Sequence, residues 1–448
     1  MGCENFSEFK LLEPLNRAIR DVGYSVPTPV QVQSIPPLMA GRDLLGCAQT
    51  GTGKTAAFAL PILQHMATVR GQRRKGYVRA LIVTPTRELA AQIDQSMKDY
   101  SRYTNVTGAV IFGGVGQNPQ VRALERGVDI LVATPGRLLD LMNQGHLRLD
   151  SVEIFVLDEA DRMLDMGFLP DIKRILAKLP AKRQTMFFSA TMPPDIVRLA
   201  RTMVRDPVSV DVTPDIPVVE LIDQRLMFVE RKDKVALLER LLRENGVNRS
   251  LVFTRTKHGA NKIVRILDRA GIRALAIHGN KAQSARTKAL EDFRTGRVRV
   301  LVATDIAARG IDVEGISHVV NFDIPNVPET YVHRIGRTAR AGNAGISVSF
   351  CDSEERSYVR DIEKLLRHPI PVVSDHPYHS EAAAKSTQLA PPQGQRGHGR
   401  PQGERRARPQ NQQGNRRPGN PRRSERSGAR RGNSDFRQSR PGQSQPTR

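Results

Sequence analysis

Short apolar runs recur along this chain of 448 residues, and most of them end in a cluster of polar residues. Residues 80–83 run into 84–88 in this way, and residues 154–157 run into 158–161. Stretches with the 3.6-residue spacing of an amphipathic helix separate the runs, as in residues 89–97. Strands that alternate with helices predict a doubly wound parallel sheet, in which the carboxyl ends of the strands lie along one edge. We therefore expect the polar clusters to meet at a common ligand-binding edge.

The alternation stops once and then restarts. Residues 208–220 contain two prolines and no helical pattern, which predicts an interdomain linker. The fold class that follows is α/β, with two tandem parallel-sheet domains joined by a short linker. We predict these domains at 35–207 and 221–370, with an N-terminal segment at 1–34.

The last part of the chain, predicted as residues 371–448, has a different composition. From Lys385 to Arg448 it holds 15 Arg and 1 Lys against 3 acidic residues, and Phe436 is nearly its only large apolar side chain. Such a segment cannot bury a core, so we predict a disordered, low-complexity basic tail. The whole chain carries a net charge of +23, which indicates a polyanionic partner.

Residues 48–55 fit the phosphate-binding loop pattern, apart from Ala in place of the first Gly. Gly51 and Gly53 would let backbone N–H groups close around phosphate oxygens. Lys54 would reach the β- and γ-phosphates, the Thr55 hydroxyl would bind Mg²⁺, and the helix that starts there favours an anion. The predicted nucleotide-binding residues of this loop are Ala48, Gln49, Thr50, Gly51, Thr52, Gly53, Lys54 and Thr55.

Asp158 and Glu159 follow the apolar run 154–157. One carboxylate can hold Mg²⁺ through oxygen, and its neighbour can orient or deprotonate a water. Taken alone, the pair is equally compatible with an acidic turn after a strand. Together with the phosphate loop, it predicts a nucleoside triphosphatase.

Residues 333–340 carry His333, Arg337 and Arg340 in the second half of the chain, which has no phosphate loop of its own. Pro328 and Glu329 predict a helix start, which would set the two arginines three residues apart on one helical face. Two guanidiniums presented together suit the spread charge of a triphosphate. The alternative is a solvated basic turn, and the nucleotide site of the first half favours the catalytic interpretation.

Upstream of the phosphate loop, Phe6 and residues 23–31 complete a set of some ten motifs in the expected order. With these motifs, the chain resembles a DEAD-box ATP-dependent RNA helicase over about residues 6–370, most closely the bacterial RhlE type. The resemblance implies two RecA-like domains that use ATP and Mg²⁺. It also implies that Gln31 selects adenine, with Phe6 stacking on the base.

The resemblance implies further roles, residue by residue. Asp158 would bind Mg²⁺ through water, Glu159 would activate the attacking water, and Asp312 would contact the ribose. Arg337 and Arg340 would contact the γ-phosphate. The implied residues for coupling between the domains are Ser189, Thr191 and His333.

The implied RNA contacts combine small hydroxyls, backbone beside Gly and Pro, and a few arginines, which suit phosphate and 2′-OH groups rather than base edges. They are Pro85, Thr86, Arg87, Gly113, Gly114, Thr134, Pro135, Gly136, Arg137, Thr254, Arg255, Gly279, Gln283, Arg286 and Thr304. We therefore expect RNA binding with little sequence preference. Closure of the domains on ATP and RNA would separate short duplexes locally, and hydrolysis would reopen the cleft.

Two other functions remain open from the sequence, a DNA-dependent ATPase and a nonenzymatic RNA clamp. Cys3, Cys47 and Cys351 form no spaced cluster, so no structural zinc or disulfide framework is expected. Neither a signal peptide nor a transmembrane run is apparent, which predicts a cytoplasmic protein without membrane contact. Ribosomal precursors and RNA-decay proteins are candidate partners by family analogy alone. The tail is either a solubilising extension or a nonspecific RNA tether.

Overall fold

The computed structural model describes residues 5–49, 51–69, 71–212, 222–308, 313, 315–339 and 345–387. These residues form two parallel sheets with helices on both faces, within one compact unit. The predicted class of two RecA-like α/β domains is therefore confirmed. None of the described helices is long and apolar enough to cross a membrane.

The first sheet contains seven strands within the described residues. They are β1 (Leu44–Cys47), β2 (Ala80–Val83), β3 (Gly108–Ile111), β4 (Ile130–Ala133), β5 (Ile154–Leu157), β6 (Gln184–Ser189) and β7 (Val208–Asp211). Their order in the sheet is β3-β4-β2-β5-β6-β1-β7, and all neighbouring pairs are parallel.

A 3-10 helix (Phe6–Phe9) and nine α-helices accompany this sheet in the described part of the chain. The α-helices are α1 (Glu13–Asp21), α2 (Pro29–Met39), α3 (Lys54–Thr68), α4 (Arg87–Ser101), α5 (Asn118–Glu125), α6 (Pro135–Asn143), α7 (Ala160–Asp165), α8 (Leu169–Leu176) and α9 (Pro194–Arg201).

The second sheet contains six strands among the described residues. They are β8 (Ile222–Phe228), β9 (Ser250–Phe253), β10 (Ala274–Ile277), β11 (Val300–Ala303), β12 (His318–Asn321) and β13 (Gly345–Cys351). Their order is β10-β11-β9-β12-β13-β8, again parallel throughout. The accompanying helices are α10 (Lys234–Arg243), α11 (Lys257–Arg269), α12 (Gln283–Arg294), α13 (Asp305–Ala308), α14 (Pro328–Ile335), α15 (Arg356–Leu366) and α16 (Glu381–Lys385).

Burial on both faces explains the continuous apolar runs of the central strands. In β5, Ile154 and Val156 enter the core under α1–α4, whereas Phe155 and Leu157 enter the core under α5–α9. Successive side chains of a strand point to opposite faces, so a strand covered on both sides needs apolar residues at every position. The polar residue that follows each run therefore marks the point where the strand leaves the core.

Two predicted boundaries differ from the structure. Residues 208–211, predicted as the start of the linker, form β7 and pair with β1, because their Val/polar alternation is that of a half-buried edge strand. Helix α2 crosses the predicted boundary at residue 34, and Ile35 is fully buried in the core of the first domain. The remainder of the predicted linker, 213–220, lies outside the described residues.

The second domain extends beyond its predicted end at residue 370. Val372 forms a bridge with Leu226, His379 forms one with Val229, and Ala383 of α16 is fully buried. These contacts cover the edge strand β8, whose free backbone groups would otherwise lie exposed. Residues 371–387 thus belong to the folded domain rather than to the tail. Residues 388–448, which hold most of the predicted tail, lie outside the described residues.

A buried lysine stabilises the carboxyl edge of the second sheet. The Lys234 Nζ lies 2.5 Å from Glu355 Oε2, 3.3 Å from Asp352 Oδ2 and 4.0 Å from Asp323 Oδ1. Burial raises the pKa of Glu355 to about 7, and the lysine opposes that rise. One cation therefore serves three carboxylates in a site that water scarcely reaches.

We expect Lys234→Met to destabilise the second domain by about 3–5 kcal/mol, because it removes the buried cation that faces the carboxylates of Asp352 and Glu355. Urea unfolding followed by far-ultraviolet circular dichroism measures the change. The matched control is Lys232→Met, which removes an exposed lysine two residues away and should change the free energy of unfolding by at most about 0.5 kcal/mol. Equal midpoints for the two variants would contradict a stabilising role for Lys234.

Candidate functional site

The predicted phosphate loop joins β1 to α3, and Gly53 is the residue that precedes the helix. Gly53 has φ +96°, a conformation that a residue with a Cβ rarely adopts. A Cβ there would lie 2.6 Å from Gln31 Nε2. Gln31 is buried, donates from Nε2 to the carbonyl of Gly53 at 3.2 Å and accepts from the Thr28 N–H at 2.8 Å. The N-terminal segment is thus joined directly to the loop.

Lys54 and Asp158 face each other at the base of this loop. The Lys54 Nζ lies 3.7 Å from Asp158 Oδ1, and both side chains are buried. Neither atom has a hydrogen-bond partner within the described structure. Burial raises the pKa of Asp158 to about 6, with the Lys54 charge opposing the rise. A buried ammonium and a buried carboxylate oxygen that lack hydrogen-bond partners fit a phosphate group and a hard cation respectively.

Glu159 lies at the N-terminus of α7 in a left-handed conformation, with φ +57°. Its carboxylate is buried, and Oε2 accepts from Arg162 Nη1 at 2.7 Å. A non-glycine residue at positive φ is a strained feature that the surrounding structure must hold in place. With this conformation the extended backbone of β5 ends, and α7 begins directly after Glu159.

Asp161 connects this turn to the end of β6, a role that the sequence interpretation missed. Its Oδ2 accepts from the backbone N–H and the hydroxyl of Thr191 at 3.1 and 3.2 Å. The Asp161 N–H donates to Ser189 Oγ at 3.2 Å, and that hydroxyl donates to the Thr191 carbonyl at 2.7 Å. The predicted coupling residues Ser189 and Thr191 therefore touch the acidic motif itself. The available signal was that Asp161 is a third acidic residue in the polar segment 158–161.

The second domain brings His333 close to this network. Burial lowers the pKa of His333, and the Arg162 guanidinium of the first domain lowers it further while Asp161 opposes. Arg337 is buried and donates from Nε to the His333 carbonyl at 3.3 Å. The prediction that Arg337 continues a helical face is wrong, because α14 ends at Ile335 and Gly336 follows as its C-cap. Glycine favours such a helix end.

Arg334, which the sequence interpretation left without a role, is the buried arginine of α14. It donates to both carboxylate oxygens of Asp305, at 2.5 and 2.9 Å, and to Asn321 Oδ1 at 3.1 Å. Its partners hold α14 against the second sheet, so Arg334 serves the fold, whereas Arg337 folds back onto the His333 carbonyl at the end of the helix. Arg340, Asp312 and Thr50 lie outside the described residues, and so do the predictions made for them.

The remaining nucleotide-site residues take varied positions. The Thr52 hydroxyl donates to the Gln49 carbonyl at 2.8 Å, Ala48 is buried, and Thr55 is partly exposed in the first turn of α3. Phe6 packs edge-on against Phe9 and stacks on Tyr24, with ring centroids 6.0 Å apart in the stacked pair.

A cleft of about 510 Å³ lies along the carboxyl edges and is lined from both domains. Nine of the predicted RNA contacts line it, together with Glu88, Asp140, Met166, Phe168 and Ile306. The nine are Pro85, Thr86, Arg87, Gly113, Thr134, Gly136, Arg137, Gly279 and Arg286. Burial lowers the pKa of Arg87, and the charges of Arg286 and Arg137 lower it further, so three guanidiniums crowd this wall. Such a cleft suits a polyanion.

Glu88 bridges the two domains beneath this cleft, and the sequence interpretation missed it. Its Oε1 accepts from Arg286 Nε at 2.8 Å and from Gln283 Nε2 at 2.9 Å, and all three side chains are buried. Arg87 Nη1 donates to Gln283 Oε1 at 3.3 Å. Gln283 and Arg286 thus bind the first domain, and Arg286 also lines the cleft. An acid in the first turn of a helix commonly interacts with the helix dipole. The sequence alone therefore gave no reason to assign Glu88 a contact with the second domain.

Other predicted RNA contacts do not line the cleft. The Thr254 hydroxyl donates to Asp323 at 2.7 Å, and Arg255 donates to Glu355 at 2.8 Å with its side chain half exposed. Pro135 is buried at the start of α6, and Thr304 accepts from the first turn of α13. These positions share a place at the carboxyl edges of the sheets rather than a common cavity wall.

The fold and the site together define a two-domain nucleoside triphosphatase with a polyanion cleft. Residues 28–199 match the DEAD/DEAH box helicase family, and residues 233–342 match the helicase conserved C-terminal domain. The chain belongs to the DEAD-box family of ATP-dependent RNA helicases.

Individual relatives agree with this assignment. The ATP-dependent RNA helicase RhlB of Pseudomonas syringae pv. tomato is 44% identical over 374 residues, which cover 82% of this chain and 94% of that protein. The RNA helicase CrhR of Synechocystis is 43% identical, over 85% of this chain and 76% of that protein. The structure of S. cerevisiae Dbp5 bound to RNA and ADP BeF3 matches with a TM-score of 0.73 and 31% identity, covering 83% of this chain and 96% of that one.

Gly114 offers a test of the cleft wall. Its φ is +79°, and a Cβ there would collide with the Arg87 guanidinium. We expect Gly114→Ala to displace Arg87 and to weaken RNA binding roughly tenfold, a loss comparable to one charge-assisted contact. Fluorescence anisotropy with labelled oligouridine measures the affinity.

Gly116→Ala is the matched control, because a Cβ at Gly116 would meet no atom within 4 Å and its φ is not positive. This variant should bind RNA as the unaltered protein does. Equal affinities for the two variants would contradict the placement of Arg87 at the RNA.

Proposed function

We propose that this helicase grips one RNA strand in the cleft between its domains and separates short duplexes locally when ATP closes that cleft. The observation that carries the proposal is the cleft of about 510 Å³ with walls from both domains. A strand that must contact Arg87 and Thr134 of one domain and Gly279 and Arg286 of the other can bind fully only when both are together. Binding of RNA and domain closure are then thermodynamically linked, so that each favours the other.

On the nucleotide side, we propose that Lys54 donates to phosphate oxygens and that Thr55 and Asp158 hold Mg²⁺. The orphaned Lys54 Nζ and Asp158 Oδ1 support this assignment. When bound, Mg²⁺ would neutralise phosphate charge. Glu159 is proposed to orient and deprotonate the attacking water. Gln31, with its amide already joined to the loop at Gly53, would recognise adenine, and Phe6 would pack beside the base.

Arg337 and Arg340 are proposed to reach the γ-phosphate from the second domain, and Asp312 to reach the ribose. Arg337 is buried beside His333, and the pKa of His333 is shifted by the charges of Arg162 and Asp161 in the first domain. Both observations support a site that is completed by closure. Loss of the γ-phosphate on hydrolysis would remove the shared anion and weaken closure. Ser189, Thr191 and Asp161 would transmit that change within the first domain, because they form one hydrogen-bonded unit.

The proposed RNA contacts are arginines, hydroxyls and backbone groups, and they favour phosphate and 2′-OH over base edges. We therefore propose binding with little sequence preference. Thr254, Arg255 and Thr304 would extend the contact surface from the second domain. A DNA substrate would lack the 2′-OH, so ATPase stimulation by RNA and by DNA of the same sequence discriminates between the two.

We expect Glu159→Gln to lower RNA-stimulated ATP hydrolysis at least about a hundredfold, because the amide cannot take the proton of the attacking water. ATP binding should persist, since the phosphate loop is unchanged. Single-turnover hydrolysis and nucleotide affinity are measured on the same preparation.

The control for this variant is Glu125→Gln, an exposed change at the end of α5 that should leave hydrolysis unaltered. Intact RNA-stimulated hydrolysis in Glu159→Gln would refute the assignment of the water-activating residue. The same result would favour an alternative base, and it would leave the family membership untouched.

We propose a role in bacterial RNA metabolism, with ribosomal precursors or RNA-decay proteins as partners and the cytoplasm as location. The RhlE type is proposed within the family, although the relatives reported above carry the names RhlB and CrhR. Crosslinking to cellular RNA, followed by sequencing of the bound fragments, would test the role. Recovery of ribosomal precursors would support it, and recovery of no RNA above background would contradict it.

The basic tail is proposed to tether RNA nonspecifically. Residues 388–448 hold 15 Arg against 3 acidic residues. Truncation must follow Thr387, because the Ser386 hydroxyl donates to the Ser353 carbonyl at 2.8 Å and Arg360 donates to the Ser386 carbonyl at 2.9 Å. Removing 388–448 should weaken RNA affinity and make its salt dependence less steep, while ATP hydrolysis at saturating RNA is retained.

Affinity measured across a salt series, with hydrolysis as the control for folding, checks this prediction. A variant with the tail arginines changed to glutamine keeps the length of the chain and should behave as the truncation does. Unchanged affinity in both would leave only a solubilising role for the tail.

A further inference from the structure

Helix α11 carries an excess of positive charge that the nucleotide and cleft assignments do not use. Its thirteen residues include Lys257, Lys262, Arg265 and Arg269, and Asp268 is the acidic residue among them. The neighbouring α12 balances Arg286, Lys288 and Arg294 with Glu291 and Asp292. The charge of α11 is therefore far less compensated than that of its neighbour.

Three of these cations share one exposed face, which we name the α11 track: Lys262, Arg265 and Arg269. At 3.6 residues per turn they lie within roughly 60° of one another around the helix axis. Ala260, Ile263 and Leu267 are buried on the opposite side against the sheet. The track is thus the exposed face of an amphipathic helix, on which Arg265 donates from Nε to the Asn261 carbonyl at 3.4 Å.

Across the described residues, none of the three side chains of the α11 track forms an ion pair within 4.0 Å, and Asp268 accepts from the Ala274 N–H at 3.3 Å. At the far end of the helix, Arg243 adds another cation by donating to the Ala270 carbonyl at 2.6 Å. Unpaired cations in a row repel one another, so a polyanion laid along them would relieve that repulsion.

Helix α11 begins next to predicted RNA contacts of the second domain. The helix begins directly after Thr254, Arg255 and Thr256, at the carboxyl edge of β9, and Thr256 caps it by accepting from the Gly259 N–H at 2.9 Å. It then runs away from the carboxyl edge along one face of the second sheet, against which Ala260, Ile263 and Leu267 pack. A strand that leaves the cleft past Arg255 would meet Lys257 first and the α11 track next. From Lys257 to Arg269 the path measures about 18 Å.

We propose that the α11 track binds the phosphate backbone of RNA that extends beyond the cleft. This proposal rests on the proposed function of the cleft itself. The ligand is a single RNA strand, recognised by its regularly spaced phosphates. The three cations span about 10 Å along the helix, enough for about three phosphates of a stacked strand. The track would thereby make affinity depend on RNA length without adding sequence preference.

The test is the triple variant Lys262→Gln, Arg265→Gln and Arg269→Gln, made in the full chain. Glutamine has nearly the helix propensity of lysine and arginine, so α11 should stay folded. The matched control is Lys232→Gln, Arg297→Gln and Lys364→Gln, which removes the same charge from exposed positions outside α11. The tail is present in every protein, so its contribution cancels between variants.

Affinity for oligouridines of increasing length is measured over a salt series. The track variant should bind the shortest stimulating RNA as the control does, and should bind longer RNA roughly tenfold more weakly. Its slope of log affinity against log salt should be less steep by about 2 for long RNA, since each lost phosphate contact contributes about 0.7.

Three outcomes would overturn the proposal. Equal length dependence and equal salt slopes in the track and control variants would mean that α11 is a solvated face, while short-RNA binding would leave the cleft assignment standing. If the unaltered protein fails to bind short RNA, both the proposed RNA cleft and the proposed role of the α11 track are wrong. Weaker binding of short and long RNA by the same factor would also exclude a track beyond the cleft.

Discussion

Parallel strand pairing is the constraint on which the site depends. β5 lies between β2 and β6, so Asp158 emerges with Thr84 on one side and the end of β6 on the other. Because every strand in the sheet runs the same way, each polar segment reaches the same edge before its helix begins. Lys54 then comes within 3.7 Å of Asp158 although the two are far apart in the chain.

The two domains meet through charged and polar groups around this edge. Glu88 holds Arg286 and Gln283 beneath the cleft, and His333 lies in the field of Arg162 and Asp161. A contact of this kind is specific in geometry but loses little apolar burial when it opens. Such an interface suits an enzyme whose domains close on bound ligands and then open to release them. The free energy of closure can come from ligand binding.

The fold could be predicted because its signals are local. The apolar runs, the glycine loop and the acidic turn each specify a strand end or a helix start, and β2, β4 and β5 are buried over their whole length as the runs require. The differences arose where local patterns are ambiguous. Residues 208–211 alternate apolar and polar side chains, a pattern that both a linker and an edge strand can have. In the second domain, α14 ends at Ile335, before Arg337. Whether residues 371–387 fold depends on β8 being available to pair with them.

By itself, the sequence determined the class of fold, the phosphate loop and the carboxylates beside it, because each of these depends on residues adjacent in the chain. Only the tertiary structure decided that Glu88 bridges two domains, that Asp161 binds the segment after β6, and that the buried Lys234 serves three carboxylates. These partners come from distant strands, and nothing in the local pattern names them. Burial strengthens the interactions between these charged groups, because the effective dielectric constant is lower inside the protein than in water. Such burial arises only when the chain folds.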